Sequence, residues 1–238
     1  MISKTKMLTL VKEFRADEAA AGFREKPALL EIKDERGRNW LHLCASVDIS
    51  KKHQLSPQDS IKLAKTLLDL GLGIDVSAFT EGEWQATPVW YAVARGRNLP
   101  LLRFLLKSGA SAEHSLWAAS FHQDLDMLRV LIDAGARLDA VAEGETPLLG
   151  AVKYSKFKAA AWLLDAGSDP DFQDDRGMTA LHYMLKKNSD LSNYRMFVLH
   201  GARGDIPDAQ GKTASLLLAR KRDSAFHRIA DELSTSDG

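Results

Sequence analysis

Histidines and the single cysteine are the residues of this 238-residue sequence with which metal or acid–base chemistry could be done. A zinc enzyme commonly places two histidines around a glutamate as H-E-x-x-H on one helix face, and a structural zinc site uses up to four thiolates. None of the seven histidines belongs to such a pair, and Cys44 supplies one thiolate only. We therefore expect no metal site and no cofactor.

Two glycine-containing segments resemble phosphate-binding turns. Gly211-Lys212-Thr213 has the ending of a phosphate loop, but Ile206 stands where that loop needs a further glycine. Gly71-Leu72-Gly73 lacks the third glycine of a dinucleotide-binding turn, and no G-x-S-x-G nucleophile turn occurs. The sequence predicts no catalytic residues, no enzyme activity and no small-molecule substrate.

A repeat organises the elements that carry these residues. One apolar slot recurs at intervals of 48, 27, 32, 33 and 34 residues, and a glycine that follows an apolar pair recurs beside it. A period near 33 indicates supersecondary units that bury their apolar faces by stacking on one another. The slot holds Leu41, Val89, Leu116, Leu148, Leu181 and Ser215, and the glycines are Gly71, Gly109, Gly135, Gly167 and Gly201.

The clearest unit runs from 174 to 201, D-D-R-G-M-T-A-L-H-Y-M-L followed by a second helix. Gly177 can adopt the left-handed conformation of a tight turn, and Thr179 can cap the first helix. Gly201 is placed to end the second helix. In the preceding unit, Thr146-Pro147 provides a cap and a proline at the first helical position.

The order of a turn, T-P-L-H, two short helices and G-A-x-x-D resembles the ankyrin repeat family over about residues 34–233. The resemblance implies an all-α fold, an α-solenoid of about five to six ankyrin-like helix-turn-helix repeats. It also implies a concave face lined by finger turns and first helices. The T-P slots are Asn39-Trp40, Thr87-Pro88, His114-Ser115, Thr146-Pro147, Thr179-Ala180 and Thr213-Ala214, and the histidine slot holds His42, Trp90, Trp117, Leu149, His182 and Leu216.

Three segments are predicted along the chain. Residues 1–33 form an N-terminal helical cap, with one helix from Thr5 to Gly22 and another from about Pro27 to Ile32. Residues 34–233 form the repeat domain, and residues 234–238 form a disordered tail.

The first interval is long because S-V-D-I-S-K-K-H-Q-L, residues 46–55, lies between the two helices of its unit. Ser56-Pro57 then predicts the start of the second helix. The insertion is either a tolerated surface loop or a loop that contacts a partner.

The finger from Gly71 to Val89 is long, and the connection from Gly109 to Leu116 is too short for a finger. We expect this irregularity to expose aromatic surface, which is typical of binding hot spots. The alternative is that Trp90, Trp117 and neighbouring rings fill core left by the missing finger. The hypothetical partner-binding residues here are Glu83, Trp84, Tyr91, Arg95, Phe121, His122 and Tyr154.

Charge is unevenly distributed although the net charge is zero. Residues 81–175 carry 14 acidic and 9 basic side chains, whereas residues 176–228 carry 4 acidic and 10 basic ones. We predict a basic strip that steers an acidic partner segment, with ordinary solvated helix faces as the alternative. The strip consists of Arg176, Lys186, Lys187 and Arg220.

These features predict a non-catalytic protein–protein interaction module, an adaptor or scaffold that binds another protein through its concave face. One alternative is an accessory or inhibitory subunit of a separately encoded enzyme, and the other is an effector delivered into a host cell. Nucleic acid is not expected, because the basic run A-R-K-R-D lies outside any nucleic-acid-binding module. No membrane contact is expected, and the chain is expected to be a monomer. The lone cysteine favours a reducing compartment, the cytoplasm. The sequence does not identify the partner.

Overall fold

The computed structural model describes residues 2–52, 54–81, 84–142 and 144–234. Short helices dominate these ranges, and they fall into two compact units. Unit 1 comprises residues 1–119 and 126–136, and unit 2 comprises residues 120–125 and 137–238. The helices are α1 (Lys4–Lys12), α2 (Ala16–Glu25), α3 (Trp40–Ala45), α4 (Pro57–Asp69), α5 (Pro88–Tyr91), α6 (Leu99–Lys107), α7 (Leu116–His122), α8 (Leu125–Asp133), α9 (Pro147–Lys153), α10 (Phe157–Asp165), α11 (Ala180–Lys186), α12 (Leu191–Leu199), α13 (Ala214–Leu218) and α14 (Ser224–Ser234).

Unit 1 is built from helix pairs that pack on one another. The first helices α1, α3 and α5 contact in sequence, and the second helices α2, α4 and α6 do the same. Leu41 on α3 and Val89 on α5 are fully buried, as their recurring slot predicts. Leu63 and Leu67 of α4 complete this core from the second-helix side.

Unit 2 repeats the arrangement. Helices α9, α11 and α13 pack as first helices, whereas α10, α12 and α14 pack as second helices. Leu148 and Leu181 fill the recurring slot, and Tyr194 and Phe197 on α12 are fully buried beside them. The predicted helix-turn-helix repeat is confirmed in both units.

Threonine hydroxyls begin several of the first helices. The side chains of Thr87, Thr146 and Thr213 accept the backbone N–H three residues on, at 3.2–3.3 Å. Asn39 and Thr179 form capping boxes, in which a histidine three residues later accepts the backbone N–H of the cap residue. The predicted caps are therefore confirmed. The second helices end at the five recurring glycines, where φ lies between 73° and 96°.

The N-terminal segment differs from the prediction of one helix from Thr5 to Gly22. The chain breaks after Lys12, and Phe14 adopts φ 55° while its ring is buried. The segment therefore forms two helices, α1 and α2, and the turn between them directs the Phe14 side chain into the core. The predicted helix at Pro27–Ile32 is only a 3-10 turn, Pro27–Leu29.

The C-terminal boundary also moves slightly. Ser234, predicted to begin the tail, is the last residue of α14, and residues 235–238 lie outside the described residues. In the insertion 46–55 a 3-10 turn spans Ile49–Lys51 and is capped by Asp48, and His53 is outside the described residues.

The long finger of unit 1 contains a short antiparallel hairpin, β1 (Thr80–Glu81) and β2 (Trp84–Gln85). After it, α5 continues as a π-helical turn from Ala92 to Gly96. A β-carbon on Gly96 would overlap the carbonyl oxygen of Ala45, so only glycine lets this turn approach α3 so closely.

Candidate functional site

An aromatic ladder runs from the finger of unit 1 onto α5. The ring centroids of Phe79 and Trp84 are 5.0 Å apart, those of Trp84 and Trp90 are 5.3 Å apart, and those of Trp90 and Tyr91 are 5.0 Å apart. Each pair meets edge to face, the geometry favoured by the ring quadrupoles. The hairpin thus fixes its finger to the first helix through side-chain packing.

The predicted exposure of Trp84 and Tyr91 is wrong. Trp84 is 6% exposed because the finger folds back and inserts it between Phe79 and Trp90. Tyr91 is 4% exposed, and its ring packs against Trp90 and His42. Trp90 is half-buried in the same ladder. Glu83, the acidic member of the predicted patch, lies outside the described residues.

A pocket of about 610 Å³ opens beside this ladder. Of its lining residues, the sequence analysis predicts Tyr91 and Arg95 as binding residues, but not the two arginines of the first finger turn or the ring of Phe79. The signal available for them was the turn D-E-R-G-R at 34–38, which places two guanidinium groups on a finger. The lining residues are Arg36, Arg38, Ser46, Phe79, Trp90, Tyr91 and Arg95.

Asp34 holds one of these arginines in place. The Nε and Nη2 atoms of Arg38 donate to Asp34 Oδ2 at 2.8 and 2.7 Å, and the Arg38 guanidinium lies 5.6 Å from the Tyr91 ring centroid. Burial alone would raise the pKa of Asp34, but the hydrogen bonds from Arg38 and Arg36 outweigh it and the pKa is lowered. Burial raises the pKa of the Tyr91 hydroxyl, against the opposing charge of Arg38.

The predicted aromatic residues of unit 2 do come together. Phe121 on α7 meets Tyr154 at the end of α9 with centroids 5.2 Å apart, and His122 packs edge-on against Phe121 at 5.5 Å. The ammonium of Lys156 lies 4.9 Å from the Phe121 ring centroid. Tyr154 is 47% exposed, so this cluster presents aromatic surface to solvent.

A second pocket, of about 420 Å³, lies in unit 2. Its residues are Gly144, Glu145, Lys153, Asp174, Asp175, Arg176, Tyr183 and Lys186. Arg176 and Lys186 of the predicted basic strip meet here, but acidic finger residues alternate with them, so the pocket is not uniformly basic. Lys187 and Arg220 are exposed and do not line it.

Ion pairing organises this second pocket. Lys153 forms an ion pair with Glu145, and its ammonium lies 5.0 Å from the Tyr183 ring centroid. The Tyr183 hydroxyl donates to Asp174 Oδ2 at 2.5 Å. Burial alone would raise the pKa of Asp174, yet the hydrogen bonds from Tyr183, Met178 and Arg176 lower it.

The residues whose types could take part in catalysis or phosphate binding have structural roles here. Cys44 is buried, its Sγ donates to the Ser60 carbonyl at 3.6 Å, and burial raises the pKa of the thiol. Gly211 takes φ 74° in the turn before the cap Thr213. Within the residues that the structure describes, no group of three histidine, cysteine or acidic side chains could hold a metal ion. The same residues include no helix long and apolar enough to cross a membrane.

Two family models match parts of this chain. A family model described as ankyrin repeats (3 copies) matches residues 89–174, and one described as ankyrin repeats (many copies) matches residues 150–199. The chain contains ankyrin repeats. Ankyrin repeats are generally protein–protein interaction modules.

Solved ankyrin repeat domains share the fold of this chain. The ankyrin repeat domain of Bcl-3, a member of the IkappaB protein family, has a TM-score of 0.71 at 22% identity, covering 95% of this chain and 96% of that one. The human ASB11 ankyrin repeat domain has a TM-score of 0.67 at 19% identity, with the same coverage. The predicted all-α fold of ankyrin-like repeats is thereby confirmed.

A curated relative is much longer than this chain. The phosphocholine transferase AnkX of Legionella pneumophila is 26% identical over 193 residues, which are 74% of this chain and 18% of the transferase. The chain therefore spans about a fifth of the length of that relative.

Proposed function

We propose that this chain is a non-catalytic interaction module, an adaptor or scaffold that binds a partner protein through its finger turns and first helices. The observation that carries the proposal is the contact between Phe121 and Tyr154. Both residues lie on first helices or their ends, and Tyr154 is 47% exposed although it is a large aromatic side chain. Exposed aromatic residues of this kind are enriched among the hot spots of protein interfaces.

The proposed mechanism of binding is that the aromatic surface is already ordered in the free protein. Phe121 packs against Tyr154, His122 and Lys156, so its ring is held before any partner arrives. A hydrogen bond from the backbone to a side chain adds to this, because Gln123 Oε1 accepts the N–H of Lys158 at 3.2 Å. A surface that is ordered in advance loses little conformational entropy on association, which favours affinity.

The two alternatives from the sequence stay proposals. An accessory or inhibitory subunit would copurify stably with an enzyme encoded elsewhere. An effector delivered into a host cell is kept as a candidate by the similarity to AnkX of Legionella pneumophila. The cytoplasmic location and the monomeric state also stay predictions, and light scattering on the purified chain tests the latter.

Affinity capture tests the interaction module. The full chain serves as bait in a lysate of its native source, and the captured proteins are identified by mass spectrometry and then purified for titration. We expect the double variant Phe121→Ala/Tyr154→Ala to weaken binding of the purified partner by about tenfold or more, since hot-spot truncations cost at least about 2 kcal/mol.

Leu199→Ala provides the matched control. Leu199 is 83% exposed and apolar, but it lies on the second helix α12 of the same unit. We expect this variant to bind like the wild type. Unchanged binding by a folded Phe121→Ala/Tyr154→Ala variant, or an equal loss with Leu199→Ala, would contradict the proposed surface.

A further inference from the structure

We propose that the arginine–aromatic pocket of unit 1 binds an acidic segment of the partner protein. Carboxylates of that segment would meet Arg36 and Arg95, while an apolar side chain of the same segment would lie against Phe79 and Trp90. This inference rests on the proposed function and names the chemistry of the partner. The pocket consists of Arg36, Arg38, Ser46, Phe79, Trp90, Tyr91 and Arg95.

The charged side chains that line the pocket, among the residues that the structure describes, are three arginines. Asp34 engages Arg38 through two hydrogen bonds, whereas Arg36 and Arg95 are exposed and form no ion pair within the described ranges. Two guanidinium groups thus remain for an anionic ligand, and guanidinium recognises carboxylates through paired, charge-assisted hydrogen bonds.

The finger turn that carries Arg36 and Arg38 is rigid. Asp34 Oδ1 accepts the backbone N–H groups of both arginines at 3.0 Å. Gly37 between them has φ 73°, and a β-carbon there would overlap the carbonyl oxygen of Ala78. The turn therefore lies directly on the segment that precedes Phe79, which fixes the arginines beside the aromatic rings.

An apolar contact accompanies the charges. Phe79 is 41% exposed although its ring packs against Trp84, so one face stays open to solvent. Trp90 is half-buried at the same pocket. A volume of about 610 Å³ falls within the range of about 300–1,000 Å³ found for ligand pockets, which leaves room for more than one side chain.

A peptide segment fits these observations better than a nucleic acid does. Nucleic-acid strands are bound along a basic groove that follows many phosphates. Here the arginines converge on one pocket instead of following a groove. The carboxylates of a short acidic segment need only the two guanidinium groups that are not engaged by Asp34.

A peptide titration tests the inference on the full chain. The probe is a synthetic glutamate-rich peptide with one phenylalanine, and the comparison peptide carries glutamine at each glutamate. Calorimetry measures both. We expect the glutamate peptide to bind, the glutamine peptide to bind at least about tenfold more weakly, and added salt to weaken the glutamate peptide selectively.

Variants then locate the binding site. Arg36→Gln and Arg95→Gln should each weaken the glutamate peptide by about tenfold, because each removes a charge-assisted contact. Arg103→Gln is the matched control, since Arg103 lies on α6 at a separate pocket and its loss changes the net charge equally. Circular dichroism confirms that the variants are folded.

The outcomes separate this inference from the proposed function. Equal binding of both peptides, equal loss with Arg103→Gln, or binding only of a phosphoserine version would overturn the carboxylate pocket. Tighter binding of duplex or single-stranded nucleic acid than of the peptide would overturn it as well. A captured partner whose binding is unaffected by Arg36→Gln/Arg95→Gln would leave the interaction module intact and refute the pocket. Peptide binding that depends on both arginines supports the pocket even if capture finds no partner.

Discussion

The backbone N–H of Ser215 donates to the carbonyl of Gly204 at 3.0 Å, and its hydroxyl occupies the space in which a β-carbon of Gly204 would lie. Gly204 in turn donates its own N–H to the carbonyl of Leu233 at 3.1 Å, near the end of α14. Three chain segments of the last repeat are therefore joined by direct backbone hydrogen bonds and leave no space for a side chain at Gly204. This close approach explains why serine replaces leucine in the sixth occurrence of the recurring slot.

Gly204→Ala is expected to destabilise unit 2. The new methyl group would overlap the Ser215 hydroxyl and come within 2.7 Å of Leu233 Cβ. Gly204 does not have a positive φ, so the cost is steric rather than conformational. We expect the free energy of unfolding to fall by about 2 kcal/mol, the typical cost of overpacking, as measured by urea denaturation.

Ser215→Ala provides the control for that measurement. The Ser215 hydroxyl is buried and has no hydrogen-bond partner in the described part of the chain, so we expect its removal to change stability by less than about 1 kcal/mol. Gly204→Ala/Ser215→Ala should recover part of the loss, because one of the overlapping atoms is then absent. A double variant no more stable than Gly204→Ala would refute the steric account.

The periodic features of the fold could be predicted from the sequence because each depends on local chemistry. Thr146 and Thr179 act as caps, and Gly201 ends its helix, as their residue types predict. Ser215 could not be interpreted in this way, since its reason lies in Gly204, eleven residues away, and in the approach of α14. The helix break at Phe14 also depends on tertiary packing, because burial of that ring stabilises it.

The pH dependence of stability should include a contribution from His42. This histidine is fully buried, and burial lowers its pKa from 6.5 to about 4. The unfolded chain therefore binds a proton between pH 6.5 and 4 that the folded chain does not. Stability should rise with pH across this window, and His42 should account for a loss of about 3 kcal/mol when the pH falls from 7 to 4.

Urea denaturation at several pH values measures this contribution. We expect His42→Gln to be less stable than the wild type at pH 7 but to lose less stability between pH 6.5 and 4. His227→Gln, at an exposed position of α14, controls for the loss of a histidine. An identical pH dependence in the wild type and His42→Gln would show that His42 is not the group responsible.

The candidate site was only partly predictable, for a physical reason. Phe121 and Tyr154 meet because they occupy corresponding ends of adjacent first helices, which the repeat period already fixes. The sequence predicts the finger that carries Trp84, but it predicts an exposed side chain, whereas Trp84 is buried. Its burial depends on how an elongated finger folds back onto Phe79 and Trp90, and hairpin packing of this kind is not encoded in the period.

Trp84→Ala should therefore act on stability. Trp84 is 6% exposed and joins the hairpin to α5, so its truncation leaves a cavity and is expected to cost about 3 kcal/mol. Phe79→Ala, which removes a ring that is 41% exposed, should cost about 1 kcal/mol. Urea denaturation compares the two variants. A Trp84→Ala variant as stable as the wild type would mean that the finger does not hold the ring in the core.

His182 is expected to connect neighbouring repeats of unit 2. Its Nδ1 accepts the N–H of Thr179 at 3.2 Å, and its Nε2 lies 3.0 Å from the Lys212 carbonyl in the turn before the last repeat. His182→Leu places in this slot an apolar residue that other repeats carry there, but it leaves the buried N–H of Thr179 and the carbonyl of Lys212 without these partners. We expect a loss of about 2 kcal/mol and faster amide hydrogen exchange between residues 208 and 218.

Leu216 separates this effect from a general loss of packing. It occupies the same slot in the last repeat and is 45% exposed, so Leu216→Ala should cost less than about 1 kcal/mol. If His182 acts through its bond to Lys212, exchange should accelerate in the turn at 208–213 in His182→Leu and stay near wild type in Leu216→Ala. Equal protection of that turn in the wild type and His182→Leu would show that the stack does not depend on this hydrogen bond.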